Sequence, residues 1–341
     1  MQAVRLFGLN DIRRTSRIRS PALPDGSVRI RVAAAGICGS DLHNFRSGQW
    51  VSHYPITPGH ELSGVITEIS DDCGDRKLGE HVVADSRIGC GICRHCKAGA
   101  VNLCRKLGFV GEACDGGFAQ EVVLPASQVL PFPSILPLRY GALVEPLSVS
   151  LHAVHRLGAP GGASIVVCGG GTIGGLAAML LQRRGNTVHV LERNVERQAL
   201  LARHLGTTPL SAEEADWNAS FGEEGPDYIL DATGAHQVLE MACSRLASGG
   251  RLVLAGIFHQ KPQIDFNLIV ERELEILGVS AFADEMPQAI ALIPSLIPTL
   301  DALITAGAPL DDLPDRYAHL LAGKESRLKT LIAPNGIDAT W

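Results

Sequence analysis

Four cysteines, Cys90, Cys93, Cys96 and Cys104, stand in one short stretch with the spacing C-x2-C-x2-C-x7-C. Four thiolates can close a tetrahedral shell around zinc, and these spacings let a single loop supply all of them. A closed sulfur shell leaves no position for a substrate, so such a site is structural. Reduced thiols or disulfides are the plainer reading and fit this spacing less well. A zinc ribbon that touches nucleic acid is a further reading, but the loop offers little basic or titratable company, with Arg94, His95, Lys97 and Arg105.

A second set of metal-ligating types is spread out: Cys38 in GICGSDLH, His60 and Glu61 in PGHE, and Glu145 in VEP. One soft sulfur, one imidazole and a carboxylate or two can hold zinc while leaving a position open for water or substrate. Singly, each has an ordinary structural role. Cys38 alone would be a buried small residue, His60 a hydrogen-bonded loop histidine and Glu145 a helix-terminal charge.

A third pattern suits a phosphate ligand. Gly169, Gly171 and Gly174 form G-x-G-x-x-G directly after the apolar run Ser164–Cys168, and a helical pattern then continues to about Arg184. The first glycine allows a tight turn, the second lets backbone approach a pyrophosphate, and the third lets the helix press on the strand. The helix N-terminus offers free N–H groups to the anion. Glu192 closes the next strand, 23 residues after Gly169. An acidic residue there accepts hydrogen bonds from an adenosine ribose and repels a 2′-phosphate, so NAD is expected over NADP. Arg193 is a counter-signal, because an arginine nearby can accommodate that phosphate.

The elements that must position these residues divide the chain in two. At 341 residues the chain exceeds one typical domain, and 46% hydrophobic against 19% charged residues supplies a sizeable core. The net charge is −6, and no lysine- or arginine-rich block offers a phosphate footprint, which argues against nucleic acid as a partner. The N-terminus MQAVRLFGLND lacks an apolar signal core, and no run of eighteen apolar residues occurs. A cytoplasmic protein away from membranes is the expectation. Nine cysteines, an odd number, point in a reducing compartment to metal or chemistry rather than disulfides.

Residues 1–125 read as short strands and glycine- and proline-punctuated turns, with no long helix. Functional residues are expected in the loops of this mostly β unit. From Ser164 the pattern turns to strand-helix alternation: strands Thr187–Leu191, Tyr228–Asp231, 252–255 and 274–279, and helices Val195–Leu205 and 237–246. That alternation implies a doubly wound parallel sheet with right-handed crossovers. A long helix over 286–306 follows, its continuity interrupted in expectation by Pro287, Pro294 and Pro298.

In combination, G-I-C-G-S-D-x-H, P-G-H-E, the four-cysteine loop, V-E-P and G-x-G-x-x-G with its acidic partner resemble the zinc-dependent medium-chain dehydrogenases/reductases. The resemblance spans nearly the whole chain and is nearest to the sorbitol, polyol and threonine dehydrogenase branch, because glutamates stand where ordinary alcohol dehydrogenases carry cysteine. It implies an α/β architecture: a GroES-like β-rich catalytic domain over 1–147, completed by 283–341, and a Rossmann cofactor domain over 148–282. It makes Cys38, His60 and Glu61 catalytic-zinc ligands, with Glu145 a fourth ligand or the group orienting a bound water. Ser40 and His43 match the family's proton relay, and Asp41 would steady the site.

Cofactor contacts fall, by the same resemblance, on Gly169, Gly171, Thr172, Ile173, Gly174, Glu192, Arg193, Arg197, Ala255, Gly256, Ile257, Val279 and Ser280. The implied activity is hydride transfer from a secondary alcohol of a polyol or similar molecule to NAD, with two zinc ions per chain. An NADPH-dependent carbonyl reductase is the alternative, and a non-catalytic zinc and nucleotide-binding protein a further one. The family implies a homo-dimer or homo-tetramer. The apolar strand 274–279 would need a partner chain at its edge, unless the 286–306 segment covers it. Residues 280–314 depart from the branch's pattern, which leaves the particular substrate open.

Overall fold

The computed structural model describes residues 1–341. Its six-stranded sheet runs in the order Thr208–Leu210, Thr187–Leu191, Ser164–Cys168, Tyr228–Asp231, Arg251–Leu254 and Glu275–Gly278, every neighbouring pair parallel. Ile165, Val166, Val167 and Cys168 are all buried, as befits a central strand covered by helices on both faces. Strand order reverses beside Ser164–Cys168, which opens the crevice where ligands of such sheets bind. Gly169 takes a φ of +90°, and a Cβ on Gly174 would collide with the Gly169 carbonyl oxygen. The glycines therefore let the helix Thr172–Arg183 start hard against the turn.

The second sheet is mixed and joins the two ends of the chain. Its long strand Ser27–Gly36 pairs antiparallel with Glu61–Ile69, with Glu121–Pro125 and with Leu331–Ala333. Val28, Ile30, Val32, Leu62, Ile66, Phe118 and Tyr317 fill the core on one of its faces. The register Leu331↔Gly36 carries the C-terminal segment to the strand end that precedes Cys38.

Two expectations change. The β-rich half contains the nine-residue helix Gly39–Ser47, so Ser40, Asp41 and His43 lie on a helix and not in a loop. The Asp41 carboxylate accepts from the Cys38 N–H at 2.8 Å, and Gly48 closes the other end at φ 63°; two terminal caps sustain a helix that has only a weak apolar stripe. The long C-terminal helix is continuous over Met286–Leu303. Pro294 and Pro298 both face outward, while Met286, Ala289, Ile293, Leu296, Leu300 and Leu303 recur on the packed face, so the missing N–H groups fall on one side.

With a mean hydropathy of 1.3 this helix is long and apolar enough to cross a membrane; here it packs along Val144–Leu157 and Val195–Leu205. The edge strand Glu275–Gly278 is thus not its main packing partner, and pairs within the chain only with Arg251–Leu254. Beyond this helix, Ala308–Pro309 and Leu331–Ala333 return to the mixed sheet.

Candidate catalytic centre and cofactor cleft

One helix end and one strand end bring the dispersed metal-ligating residues together. Cys38 begins the helix Gly39–Ser47, His60 and Glu61 open the strand Glu61–Ile69, and one ligand atom from each lies within 4.8 Å of the others. His60 Nδ1 and Glu61 Oε2 are buried without a hydrogen-bond partner. Buried polar atoms without partners are costly, and a cation bound among them would satisfy both. A Cβ on Gly36 would collide with Glu61 Oε2, so the glycine is what admits the carboxylate. The donor set fits zinc.

Glu145 lies in the first turn of the helix Val144–Leu157, and its Oε1 accepts from Ser86 Oγ at 3.2 Å. It is outside the tight three-residue cluster. Burial pushes its carboxyl up to about 7, partly offset by His60 and reinforced by Glu61. Burial likewise raises Asp41, against the pull of His60, whose Nδ1 stands 3.8 Å from Asp41 Oδ1. These acidic groups share one cation supplied by the chain. Lys329 Nζ donates to Glu61 Oε1 at 2.6 Å and to the Ile37 carbonyl at 2.9 Å, with both charged side chains 1% exposed. Burial opposes the ammonium form, but Glu61 and Cys38 outweigh it and raise the Lys329 pKa.

Sequence reasoning did not find Lys329. It stands 268 residues from its partner, and a lone lysine before a short apolar strand carries no local signal. Glu112 was missed for the same reason: it is buried, its Oε1 accepts from Asn44 Nδ2 at 2.9 Å, and burial raises it to about 7.

Ser40 occupies the first turn of the helix Gly39–Ser47, and His43 lies one turn further on, buried, with the rings of Trp50 (4.6 Å) and His259 (4.7 Å) against it. The four-cysteine loop forms a separate cluster whose sulfur atoms also lie within 4.8 Å of one another. Backbone N–H groups point at these sulfurs: Cys96 N at Cys93, and Cys90 N and Lys106 N at Cys104, each 3.4 Å away. N–H donors from Ile92 and Cys93 lower Cys90 to about 6, which favours the thiolate that a metal requires.

In the sheet crevice a cavity of about 800 Å³ is lined by Gly169, Gly171, Glu192, Arg193 and Arg197, together with Ser211 and Thr233. Glu192 is anchored at both oxygens, by Gly170 N and Asn194 N at 2.8 Å each, and Arg197 Nη1 stands 3.4 Å from it. Thr172, Ile173, Gly174, Ala255, Gly256, Ile257, Val279 and Ser280 lie outside this cavity. Thr172 Oγ1 donates to the Leu328 carbonyl, the Ile173 carbonyl accepts from Ser150, and Gly174 packs on the turn. Gly256 abuts Gly234, Val279 N donates to Leu254, and Ser280 Oγ donates to the Asn102 carbonyl at 3.1 Å. Ala255 bonds Asp231 at the end of its strand, and Ile257 is exposed.

Residues 24–134 match the alcohol dehydrogenase GroES-like domain, and residues 172–295 match the zinc-binding dehydrogenase domain. The chain belongs to the zinc-dependent medium-chain dehydrogenases. It is 33% identical over 317 residues to a 2-dehydro-3-deoxy-L-galactonate 5-dehydrogenase of Pseudoalteromonas atlantica, covering 91% of this chain and 92% of that protein. Its fold matches 2R,3R-butanediol dehydrogenase from Bacillus subtilis with a TM-score of 0.89 at 30% identity, over 98% and 99% of the two chains. A Sinorhizobium meliloti zinc-binding dehydrogenase bound to NADP matches at 0.86 and 29%, over 98% and 99%. The medium-chain dehydrogenase is thus a zinc- and nicotinamide-dependent oxidoreductase of alcohols on a GroES-like and a Rossmann domain.

Proposed function

We propose that this dehydrogenase oxidises a secondary alcohol of a polyol or similarly hydroxylated small molecule to the ketone, with NAD as acceptor. The observation that carries the reading is the meeting of Cys38, His60 and Glu61 with two buried, unpartnered donor atoms. Zinc, when bound, supplies a Lewis acid for the substrate oxygen, and the nicotinamide supplies the two-electron acceptor. Cys38, His60 and Glu61 would hold the metal, and Glu145, outside that cluster, would serve as a fourth ligand or a water-orienting carboxylate. Ser40 takes the hydroxyl proton and His43 receives it, a positioned chain of the kind worth about 10²–10⁴-fold in rate. A carboxylate-rich centre is harder than a two-cysteine one and suits a hydroxyl-rich ligand. The named relatives, dehydrogenases of a sugar-acid derivative and of a vicinal diol, support that substrate class.

The NAD preference rests on Glu192 in the lining of the cavity, where a carboxylate would accept hydrogen bonds from an adenosine ribose. Arg193 and Arg197 in the same lining favour the second reading, NADP-linked reduction of a carbonyl compound. The assembly we propose is a homo-dimer or homo-tetramer that pairs the edge strand Glu275–Gly278, and the location is the cytoplasm. The test is turnover by the zinc-replete protein with NAD and with NADP on hexitols, pentitols, sugar acids and vicinal diols, beside a chelator-treated control. Zinc-dependent NAD reduction with one substrate group is the expected result. Activity confined to NADPH and carbonyl compounds would replace the reading with its alternative.

A further inference from the structure

His43 is built into an unusually complete set of contacts at one ring nitrogen. Its Nε2 lies 2.8 Å from Gln49 Oε1 and 3.0 Å from Ser47 Oγ. The Ser47 hydroxyl has one hydrogen, and it donates that hydrogen to the His43 carbonyl at 2.9 Å. One of its two acceptor positions takes the Gln49 N–H at 3.2 Å. What remains is a lone pair facing Nε2. The Gln49 carbonyl oxygen is a second acceptor on the same nitrogen, so Nε2 carries the proton and donates. No hydrogen bond within the protein engages Nδ1.

The ring is also fixed in its plane. Trp50 lies against one side and His259, from the loop after the cofactor-sheet strand Arg251–Leu254, is stacked at 20° on it. A half-turn of the imidazole, which would exchange its nitrogens, sweeps through both neighbours. The turn that carries Gln49 and Trp50 is itself tied down, since Trp50 N donates to Asn44 Oδ1 at 3.2 Å and Asn44 Nδ2 donates to the buried Glu112. The charged or titratable groups near this ring include His259, stacked on it, and Asp41 and Arg46 on its own helix. Burial, then His43 and Arg46, lower the His259 pKa, which favours the neutral form of that ring.

We propose that Ser47 and Gln49 are positioning residues that lock His43 in the Nε2–H tautomer, so that Nδ1 is the nitrogen that takes up the proton released by the substrate. The inference rests on the relay role of His43 given above. The neutral imidazole gains one proton at Nδ1, the resulting imidazolium keeps its Nε2–H on the two acceptors, and the Nδ1 proton is later lost to bulk water. No electrons move at the ring.

The test uses the zinc- and NAD-loaded enzyme labelled with ¹⁵N-histidine, with His43 assigned by the signal that His43→Gln removes. Long-range ¹H–¹⁵N spectra are expected to show Nε2–H. In the Ser47→Ala/Gln49→Leu double variant the tautomer becomes mixed and the apparent pKa of kcat falls by about 0.5–1 unit, a roughly 3- to 10-fold loss of proton affinity, because two acceptors that favour the imidazolium are gone. Gln49→Glu moves it upward. Zinc content and NADH affinity stay unchanged in both and report intact folding. An Nδ1–H tautomer in the parent enzyme, or a double variant with an unmoved pH profile, overturns the proposal. A pH profile that His43→Gln itself leaves unaltered refutes the relay role instead, while the spectra still judge the tautomer.

Discussion

Replacing Lys329 with methionine removes one charge from the most deeply buried ion pair in the molecule. The ammonium holds Glu61 Oε1 at 2.6 Å and the Ile37 carbonyl at 2.9 Å, and neither charged side chain has access to water. Methionine keeps most of the apolar volume, so the effect is electrostatic. Breaking a buried pair from one side leaves an uncompensated charge and typically costs about 3–5 kcal/mol. Metal-free Lys329→Met is expected to lose that much in urea unfolding. With zinc bound, Glu61 has a second cation, and the loss shrinks to the orphaned Ile37 carbonyl, about 1–3 kcal/mol. Removing both charges, in Glu61→Gln/Lys329→Met, recovers a large part of the metal-free loss, and the cycle isolates the pair. A metal-free loss under about 1 kcal/mol, or one that the double variant does not relieve, refutes the reasoning.

Three further outcomes follow from the geometry. Cys93→Ser opens the four-sulfur shell, so metal analysis should show one zinc fewer per chain and thermal unfolding a lower midpoint, with the Cys38 site still loaded. Glu192→Ala frees Gly170 N and Asn194 N and leaves Arg193 and Arg197 unopposed; the NADP to NAD ratio of kcat/KM should rise about tenfold, equivalent to about 1.4 kcal/mol. At Glu285, burial works against the carboxylate, but hydrogen bonds from His152 and Ala283 outweigh it, so its pKa lies below the ordinary 4.5. A depressed folded pKa contributes stability above the unfolded value and loses it as pH falls through the folded one. Glu285→Gln should therefore be less stable than the parent at pH 7, and the gap should close in acid.

Signals that lie close together in the chain were legible. The four-cysteine loop, the glycine turn and the run of strands from Ser164 each declare themselves within a few residues, and each recurs in the structure as a cluster, a cavity wall or a parallel sheet. Cys38, His60 and Glu61 were legible only as a set, since each alone has an ordinary structural role. What stayed hidden depends on tertiary closure. Lys329 reaches Glu61 only because Leu331–Ala333 pairs with the strand that leads into Cys38.

Helix Gly39–Ser47 is too short and too polar for periodicity to reveal, although Asp41 and Gly48 are its cap signals. Pro294 and Pro298 argue against the helix that contains them until their shared solvent face is seen. Arg197, which in the chain reads as a solvated helix residue, proves to be paired with Glu192, the residue proposed to read the ribose.

The central claim is that Cys38, His60 and Glu61 hold the metal at which the alcohol reacts. Metal content, NADH affinity and NAD-dependent turnover of Cys38→Ser, measured beside the parent on an active polyol, test it most directly. The account predicts one zinc per chain in place of two, unchanged NADH binding and loss of turnover. Two zinc ions per chain with turnover retained would contradict it.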